Sequence, residues 1–240
     1  MKLILLAAGK SSRIFDKIKT NKCLIEVNKK PLIKHLIDNA NDLGINDIDV
    51  VVGYKPLNIK KKLKFNRLNF IHNRKFNSTD MVYSSILALE KCNTDALICY
   101  TDIIFEKKIF KKLIKKKDNN IVVPHLKSWI SVWKKRKKKI YDDAETFFSN
   151  KSDQIIEIGQ KINSKNLKDI NGQFMGIIYI PKIMIKVFIS KYKVYKKNKV
   201  QFTEFLNFLI LNKIVIKTFS YSGKWYEFDD IEDLITFKKN

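Results

Sequence analysis

Six residues at the start of the chain, Met1 to Leu6, form a short apolar run, and the three that follow, Ala7-Ala8-Gly9, carry almost no side chain. A run of that length and composition suits a buried strand, and the loss of bulk at its end lets backbone approach a ligand closely. Lys10, Ser11, Ser12 and Arg13 follow at once. Hydroxyls and two cations on a turn rich in unpaired N–H groups suit a phosphate. Lys22 precedes a second apolar run, Cys23 to Val27, which reads as another strand, and Pro31 opens an apolar-periodic helix through Leu32, Ile33, Leu36 and Ile37. Neither GxGxxG nor GxxxxGK[ST] occurs in this stretch, which disfavours dinucleotide-binding and Walker readings.

The pattern then repeats. Gly44 suits a left-handed cap, Ile48 to Val52 reads as a buried strand closed by Gly53-Tyr54, and residues 56 to 66 suit a solvated amphipathic helix. Leu68 to Ile71, Ala96 to Tyr100 and Ile121 to Pro124 read as further strands, with helices over Met81 to Glu90 and Phe105 to Lys117 between them. Strands alternating with helices call for a mostly parallel sheet with crossovers, and ligands of such sheets bind at the carboxyl ends of the strands. Asp102 follows one of those ends. Asn77, Ser78, Thr79 and Asp80 lie at or before a helix start, where they serve either an anion or ordinary N-capping. Tyr54 suits a nucleotide contact or a packing role equally.

Beyond residue 124 the alternation breaks. Trp129, Trp133 and the cationic run Lys134 to Lys139 fit a surface hairpin whose tryptophans pack on the sheet; a nucleic-acid patch and an aromatic contact to a substrate amine are the other readings. Ile155 to Ile158, Phe174 to Ile180 and Ile214 to Phe219 read as strands, and Lys182 to Tyr192 and Thr203 to Leu211 as helices. Near the end, Glu227 and Asp229 project to one face of an extended segment, because a strand has period two. With Asp102 they would make an oxygen-rich cluster suited to magnesium.

Several stretches together resemble the nucleotidyltransferases of GT-A-like fold. Leu6-Ala7-Ala8-Gly9, Ser12-Arg13, Lys22-Cys23-Leu24 and Lys30-Pro31-Leu32-Ile33 match that family's amino-terminal signature, with Ser11 where glycine is usual and Asn21 where proline is usual. Asn77-Ser78-Thr79-Asp80-Met81-Val82-Tyr83-Ser84-Ser85 is similar to a segment of phosphocholine and aminoethylphosphonate cytidylyltransferases. Asp143-Ala144-Glu145-Thr146-Phe147, Glu157-Ile158-Gly159-Gln160-Lys161 and Trp225-Tyr226-Glu227-Phe228-Asp229 continue the likeness. The resemblance implies an α/β fold, a Rossmann-like, mixed but mostly parallel sheet flanked by helices, with a smaller substrate-binding insertion. It implies one nucleotidyltransferase domain over 1–240, residues 1–120 serving mainly the nucleotide and 121–240 mainly the acceptor and the closing metal motif.

The resemblance also implies roles. Leu6, Ala7, Ala8, Gly9, Ser12, Arg13, Lys22, Tyr54, Asn77, Thr79 and Ser84 would contact CTP; Asp102, Glu227 and Asp229 would hold Mg2+; Arg13, Lys22, Asp102 and Lys161 would serve the transfer, Lys161 at the acceptor phosphate. The reaction would move CMP from CTP to a small phosphorylated or phosphonate acceptor, releasing pyrophosphate and giving a product for surface-polysaccharide or lipid decoration. A sugar-1-phosphate nucleotidyltransferase is the nearest alternative, and a nucleic-acid-binding module the alternative from another class.

Charge decides against the second alternative. Lys plus Arg number 48 against 24 acids, a formal net charge of +24, which raises nucleic acid as a partner. Arginine, which dominates base readout, occurs only at positions 13, 67, 74 and 136, so the other 44 cations are lysines. The excess reads as compositional bias and an attraction for small anions, with no nucleic-acid partner. No stretch approaches the ~20 apolar residues of a membrane span, and no export pattern opens the chain, so a cytoplasmic monomer or homodimer is expected. Cys23, Cys92 and Cys99 match no zinc spacing and read as core thiols.

Overall fold

The computed structural model describes residues 1–10, 20–64, 67–116, 118–136, 140–195 and 199–239. Ser11, Ser12 and Arg13 lie outside the described residues. The amino-terminal run forms β1 (Lys2–Ala7), buried along its whole length. The apolar run after Lys22 departs from its expected strand. Lys22–Leu24 is a turn of 3₁₀ helix, and only β2 (Glu26–Val27) is extended, paired with β3 (Lys30–Pro31) across the left-handed residues Asn28 and Lys29. Pro31 precedes α1 (Leu32–Asn41), which buries Leu32, Ile33, Leu36, Ile37 and Ala40, one face at helical spacing.

Next come β4 (Ile48–Val52), α2 (Pro56–Lys62), β5 (Asn69–His72), α3 (Met81–Leu89) and β6 (Ala96–Tyr100). Asp80 caps α3, accepting a 2.8 Å bond from the Tyr83 amide, so this helix start uses ordinary N-capping. The chain then makes the short β7 (Ile103–Phe105) before α4 (Lys108–Lys116), so Phe105 closes a strand and does not open the helix. In α4, Ile109, Phe110 and Leu113 face inward.

After β8 (Ile121–Leu126) the expected hairpin is replaced by α5 (Trp129–Lys135), with Trp129 and Trp133 buried on its inner face. The four-residue spacing places both indoles on one side of a helix, where Trp133 meets Trp129 edge-on and stacks on Trp225. A single turn, α6 (Ile140–Asp143), leads into β9 (Glu145–Ser149) and β10 (Ile155–Lys161), an antiparallel pair standing apart from the main sheet. Then follow β11 (Gln173–Phe174), β12 (Ile177–Ile180), α7 (Lys182–Tyr195), α8 (Phe202–Leu211), β13 (Ile216–Tyr221), β14 (Trp225–Glu227) and α9 (Ile231–Lys239).

The main sheet runs β11-β8-β12-β6-β1-β4-β5, with β13 also pairing β8. β1 pairs β4 and β6 in parallel, β4 pairs β5 in parallel and β13 pairs β8 in parallel, whereas β12 is antiparallel to both β6 and β8, and β11 to β8. The result is a mixed sheet with helices packed on it, the GT-A-like nucleotidyltransferase arrangement. Central strands are apolar on both faces, as sheets covered on both sides require. One glycine shows how α8 reaches the β9–β10 ribbon. Gly159 has φ +80°, and a Cβ there would stand 2.9 Å from Thr203 backbone, so only glycine admits both the turn and the close helix. Among the described residues no helix is long and apolar enough to cross a membrane.

Candidate active site

The carboxyl ends of β1 and β6 lie side by side, tied by a 2.8 Å bond from Thr101 Oγ1 to the Leu6 carbonyl. A cavity of about 230 Å³ opens there, lined by Leu6 to Gly9 on one side and by Lys22, Thr79, Ser84 and Asp102 on the others. Larger hollows exist; one of about 530 Å³ lies against Phe237, but its lining does not include the carboxyl ends of β1 and β6. The small residues Ala7, Ala8 and Gly9 do here what their size allows: they leave the floor open.

Five hydrogen bonds hold this floor. The Tyr54 amide donates to the Ala8 carbonyl at 3.0 Å, and Asn21 Nδ2 donates to the Tyr54 carbonyl at 2.7 Å. Asn21, standing where proline is usual in the family it resembles, thus anchors the segment before Lys22 by a hydrogen bond. Asn73, 1% exposed, donates to Thr79 Oγ1 and Ser84 Oγ, both at 3.0 Å, which fixes the two hydroxyls at the rim. The Phe228 amide donates to the Asp102 carbonyl at 2.9 Å, stitching the closing segment to the end of β6.

The charged centre sits on that last seam. Lys22 Nζ lies 2.7 Å from Asp102 Oδ2 and 2.9 Å from Asp229 Oδ1. Burial disfavours the Lys22 charge, but the two carboxylates outweigh it and push its pKa up. Asp229 Oδ2 is 3.1 Å from Arg136 Nη2, Glu227 Oε2 is 2.9 Å from Arg136 Nη1, and Asp233 Oδ1 is 2.8 Å from Arg136 Nε. Burial, and then the neighbouring Asp229 charge, push the Glu227 carboxyl above the usual carboxylate range, against the opposing pull of Arg136.

The expected ring of three carboxylates is therefore interleaved with cations. Asp102, Glu227 and Asp229 do converge, but Lys22 and Arg136 stand between them, and among the described residues no group of three or more acids, histidines or cysteines is arranged to hold a metal alone. Asp102 Oδ1 is nevertheless buried with no hydrogen-bond partner among the described residues. A buried carboxylate oxygen left bare is costly unless a ligand completes it.

Other expected site residues fall elsewhere. Tyr54 contributes its backbone, its ring packing 6.1 Å from Phe76. Asn77 is exposed and lies outside the cavity lining. Lys161 is exposed at the end of β10, opposite Glu145 in the ribbon. His35 bonds the Val27 carbonyl and His125 bonds Thr218, so neither ring enters the cavity. Arg136 was not anticipated; its one signal was an arginine within a run of lysines.

Residues 3–147, more than half of the chain, match the family of the MobA-like NTP transferase domain. The chain belongs to this NTP transferase family. The family assignment makes it a nucleotidyltransferase enzyme, and relatives agree along its length. A CTP:phosphoglutamine cytidylyltransferase of Campylobacter jejuni subsp. jejuni is 31% identical over 251 residues, covering 98% of both chains. A choline-phosphate cytidylyltransferase of Streptococcus pneumoniae is 32% identical over 107 residues, 44% of this chain and 47% of its own. Among solved structures, the inositol-1-phosphate CTP transferase from T. maritima superimposes with a TM-score of 0.79 at 19% identity, over 99% of this NTP transferase and 95% of that chain. The CTP:phosphocholine cytidylyltransferase from Streptococcus pneumoniae gives 0.72 at 17% identity over 99% and 97%. At such identities the two structures speak for the fold.

Proposed function

We propose that this NTP transferase moves CMP from CTP to a small phosphorylated acceptor with release of pyrophosphate, and that Mg2+ assists. The observation that carries the reading is the end-to-end relationship to a cytidylyltransferase acting on phosphoglutamine, together with the meeting of Lys22, Asp102 and Asp229 at the strand ends. On this reading residues 1–120 serve mainly the nucleotide, and 121–240 mainly the acceptor and the closing acidic motif.

Phosphoryl chemistry asks little covalent work of the protein. An acceptor phosphate oxygen attacks the α-phosphorus of CTP, a P–O bond forms, the bond to the β-phosphate breaks, and its electron pair leaves with pyrophosphate. The attacking oxygen is already ionised at neutral pH, so no general base is required, which agrees with the absence of histidine from the described lining. Leu6 to Gly9 present backbone to the nucleotide, Thr79 and Ser84, whose hydroxyl protons go to the Lys75 and Asp80 carbonyls, offer acceptor lone pairs, and Lys22 compensates phosphate charge. Ser12 and Arg13 join this set by resemblance, as Lys161 does at the acceptor phosphate.

Magnesium fits the donor set. It is ordinarily held by one or two carboxylates plus substrate phosphates and water. Asp102, with one bare buried oxygen, and Asp229, sharing the same cation, meet that requirement without a third acid. When bound, the ion would offset the charge developing on the α-phosphate and the leaving pyrophosphate. Glu227, already engaged by Arg136, fits a supporting place better than a direct one.

The acceptor is a phosphate-bearing small molecule whose chemistry falls in the range of phosphorylated amino acids, amides, alkanolamines or phosphonates, and the nucleotide-linked product suits attachment to a surface polysaccharide or lipid. Incubation with CTP and phosphoglutamine, phosphocholine, aminoethylphosphonate or a sugar 1-phosphate, followed by mass spectrometry, tests it. A CMP adduct of one of the first three supports the reading; an adduct formed from a sugar 1-phosphate alone replaces it with the sugar-nucleotide alternative.

A further inference from the structure

Arg136 follows the last residue of α5 and lies inside the run Lys134 to Lys139, in which every other residue is lysine. It is 5% exposed, whereas Lys134 and Lys135 are exposed. Its position is built by tryptophans. The Trp133 ring stacks on Trp225 at 6.2 Å and 3°, Trp129 meets Trp133 edge-on at 6.0 Å, and the Arg136 guanidinium carbon stands 5.2 Å from the Trp133 centroid. Trp225 starts β14, the strand that carries Glu227. The stack therefore fixes Arg136 relative to the acidic segment.

The guanidinium uses all three nitrogens. Nε and Nη2 bond the two oxygens of Asp233 at 2.8 and 3.1 Å, Nη1 bonds Glu227 at 2.9 Å, and Nη2 also reaches Asp229 Oδ2 at 3.1 Å. Asp233 in turn accepts from the Asp229 amide at 2.8 Å and the Asp230 amide at 3.3 Å. Asp229 is thus held twice, by its side chain directly and by its backbone through Asp233. Lysine lacks the planar fork for this.

We propose that Arg136 is the positioning residue of the transfer, holding Asp229 beside Asp102, where the two carboxylates share Lys22 and would take the metal. The inference rests on the nucleotidyltransferase reading of those two aspartates. Arg136 itself touches no reacting atom; it acts through Asp229.

The test uses full-length Arg136→Lys and Arg136→Met, with Asp229→Asn and the Arg136→Lys/Asp229→Asn double variant. Circular dichroism and Tm report folding. Electron paramagnetic resonance of free Mn2+, titrated with CTP present, reports metal binding without turnover. Arg136→Lys folds, binds Mn2+ about tenfold more weakly, as loss of an outer-shell support does, and needs correspondingly more Mg2+ for half-maximal rate, while KM for CTP stays within about twofold. The double variant is no worse than Asp229→Asn, because residues acting as one unit do not add. Should Arg136→Met fail to fold, Arg136→Lys decides. A lowered Tm with unchanged Mn2+ affinity and Mg2+ dependence would overturn the proposal and leave Arg136 a structural residue. So would a wild-type protein that binds no Mn2+ with CTP. A wild type whose Mn2+ binding depends on Arg136 and Asp229 yet transfers nothing removes the functional reading and keeps the positioning one.

Discussion

Lys22 and Asp102 stand 80 positions apart in the chain and meet at 2.7 Å, Nζ to Oδ2. Asp229, 207 positions from Lys22, accepts from the same ammonium at 2.9 Å. The cleft thus closes on one lysine that links the start, the middle and the end of the sequence. Each arrives by its own route: Lys22 on the 3₁₀ turn after β1, Asp102 at the end of β6, Asp229 beyond β14.

Replacing that lysine has two readable consequences. Lys22→Met lowers kcat/KM for transfer by about 10²–10³, the usual loss when a fixed donor to developing charge is removed. It also leaves Asp102 and Asp229 facing one another without their shared cation. The variant therefore gains more in Tm from added Mg2+ than the wild type does, in thermal melts with and without the metal. An equal gain in both proteins would contradict the placement of these carboxylates around a common cation.

Gly53 tests the packing beneath the cleft. A Cβ at this position would stand 2.6 Å from the Ala8 carbonyl oxygen and 2.6 Å from Phe76 Cβ, and neither can swing away. Gly53→Ala costs about 1–3 kcal/mol of stability, seen in denaturant unfolding, and raises KM for the nucleotide because the Ala8 floor must shift. A neutral substitution would show that β4 and the Phe76 segment are less tightly apposed than described.

His125 sets a pH dependence of stability. The ring is buried, its Nδ1 2.8 Å from Thr218 Oγ1, while that hydroxyl donates to the Val123 carbonyl at 2.7 Å. The hydroxyl proton is thus committed elsewhere, so Nδ1 carries the hydrogen of the neutral ring. Burial pushes the His125 pKa down to about 4 from the usual 6.5. Between those values the unfolded chain binds a proton that the folded chain refuses. The stabilisation is complete above pH 6.5 and is lost as the pH falls toward 4, on the order of 3 kcal/mol in all. His125→Gln removes this contribution, so its unfolding free energy falls less steeply over that interval in urea titrations. A parallel pH profile in the two proteins would contradict a buried neutral ring.

Much of this was legible in the residues. β1, β4 and β6 could be read because a strand covered on both faces is a continuous apolar run, and α4 because Ile109, Phe110 and Leu113 recur at helical spacing among lysines. Asp102, Glu227 and Asp229 stand out through the resemblance to the nucleotidyltransferases, to which strand-end placement and the period of two lend support. The misses share a cause. The hairpin expectation for α5 missed the four-residue spacing of Trp129 and Trp133, and the stacking of Trp133 on Trp225, 92 positions later, has no local signature. Arg136 disappeared into a lysine run for the same reason, since its value lies in partners at positions 227, 229 and 233. The run Cys23 to Val27 is apolar because Cys23, Ile25 and Val27 are buried, and burial alone does not distinguish a strand from a turn.

The most direct test is pyrophosphate release measured across CTP, ATP, GTP and UTP against a panel of small phosphates and phosphonates, with Mg2+ or with chelator, for the wild type and Asp102→Asn. The account predicts release with CTP and one class of acceptor, abolished by the chelator and by the substitution. Release that is indifferent to the nucleotide, or that survives in Asp102→Asn, would contradict it.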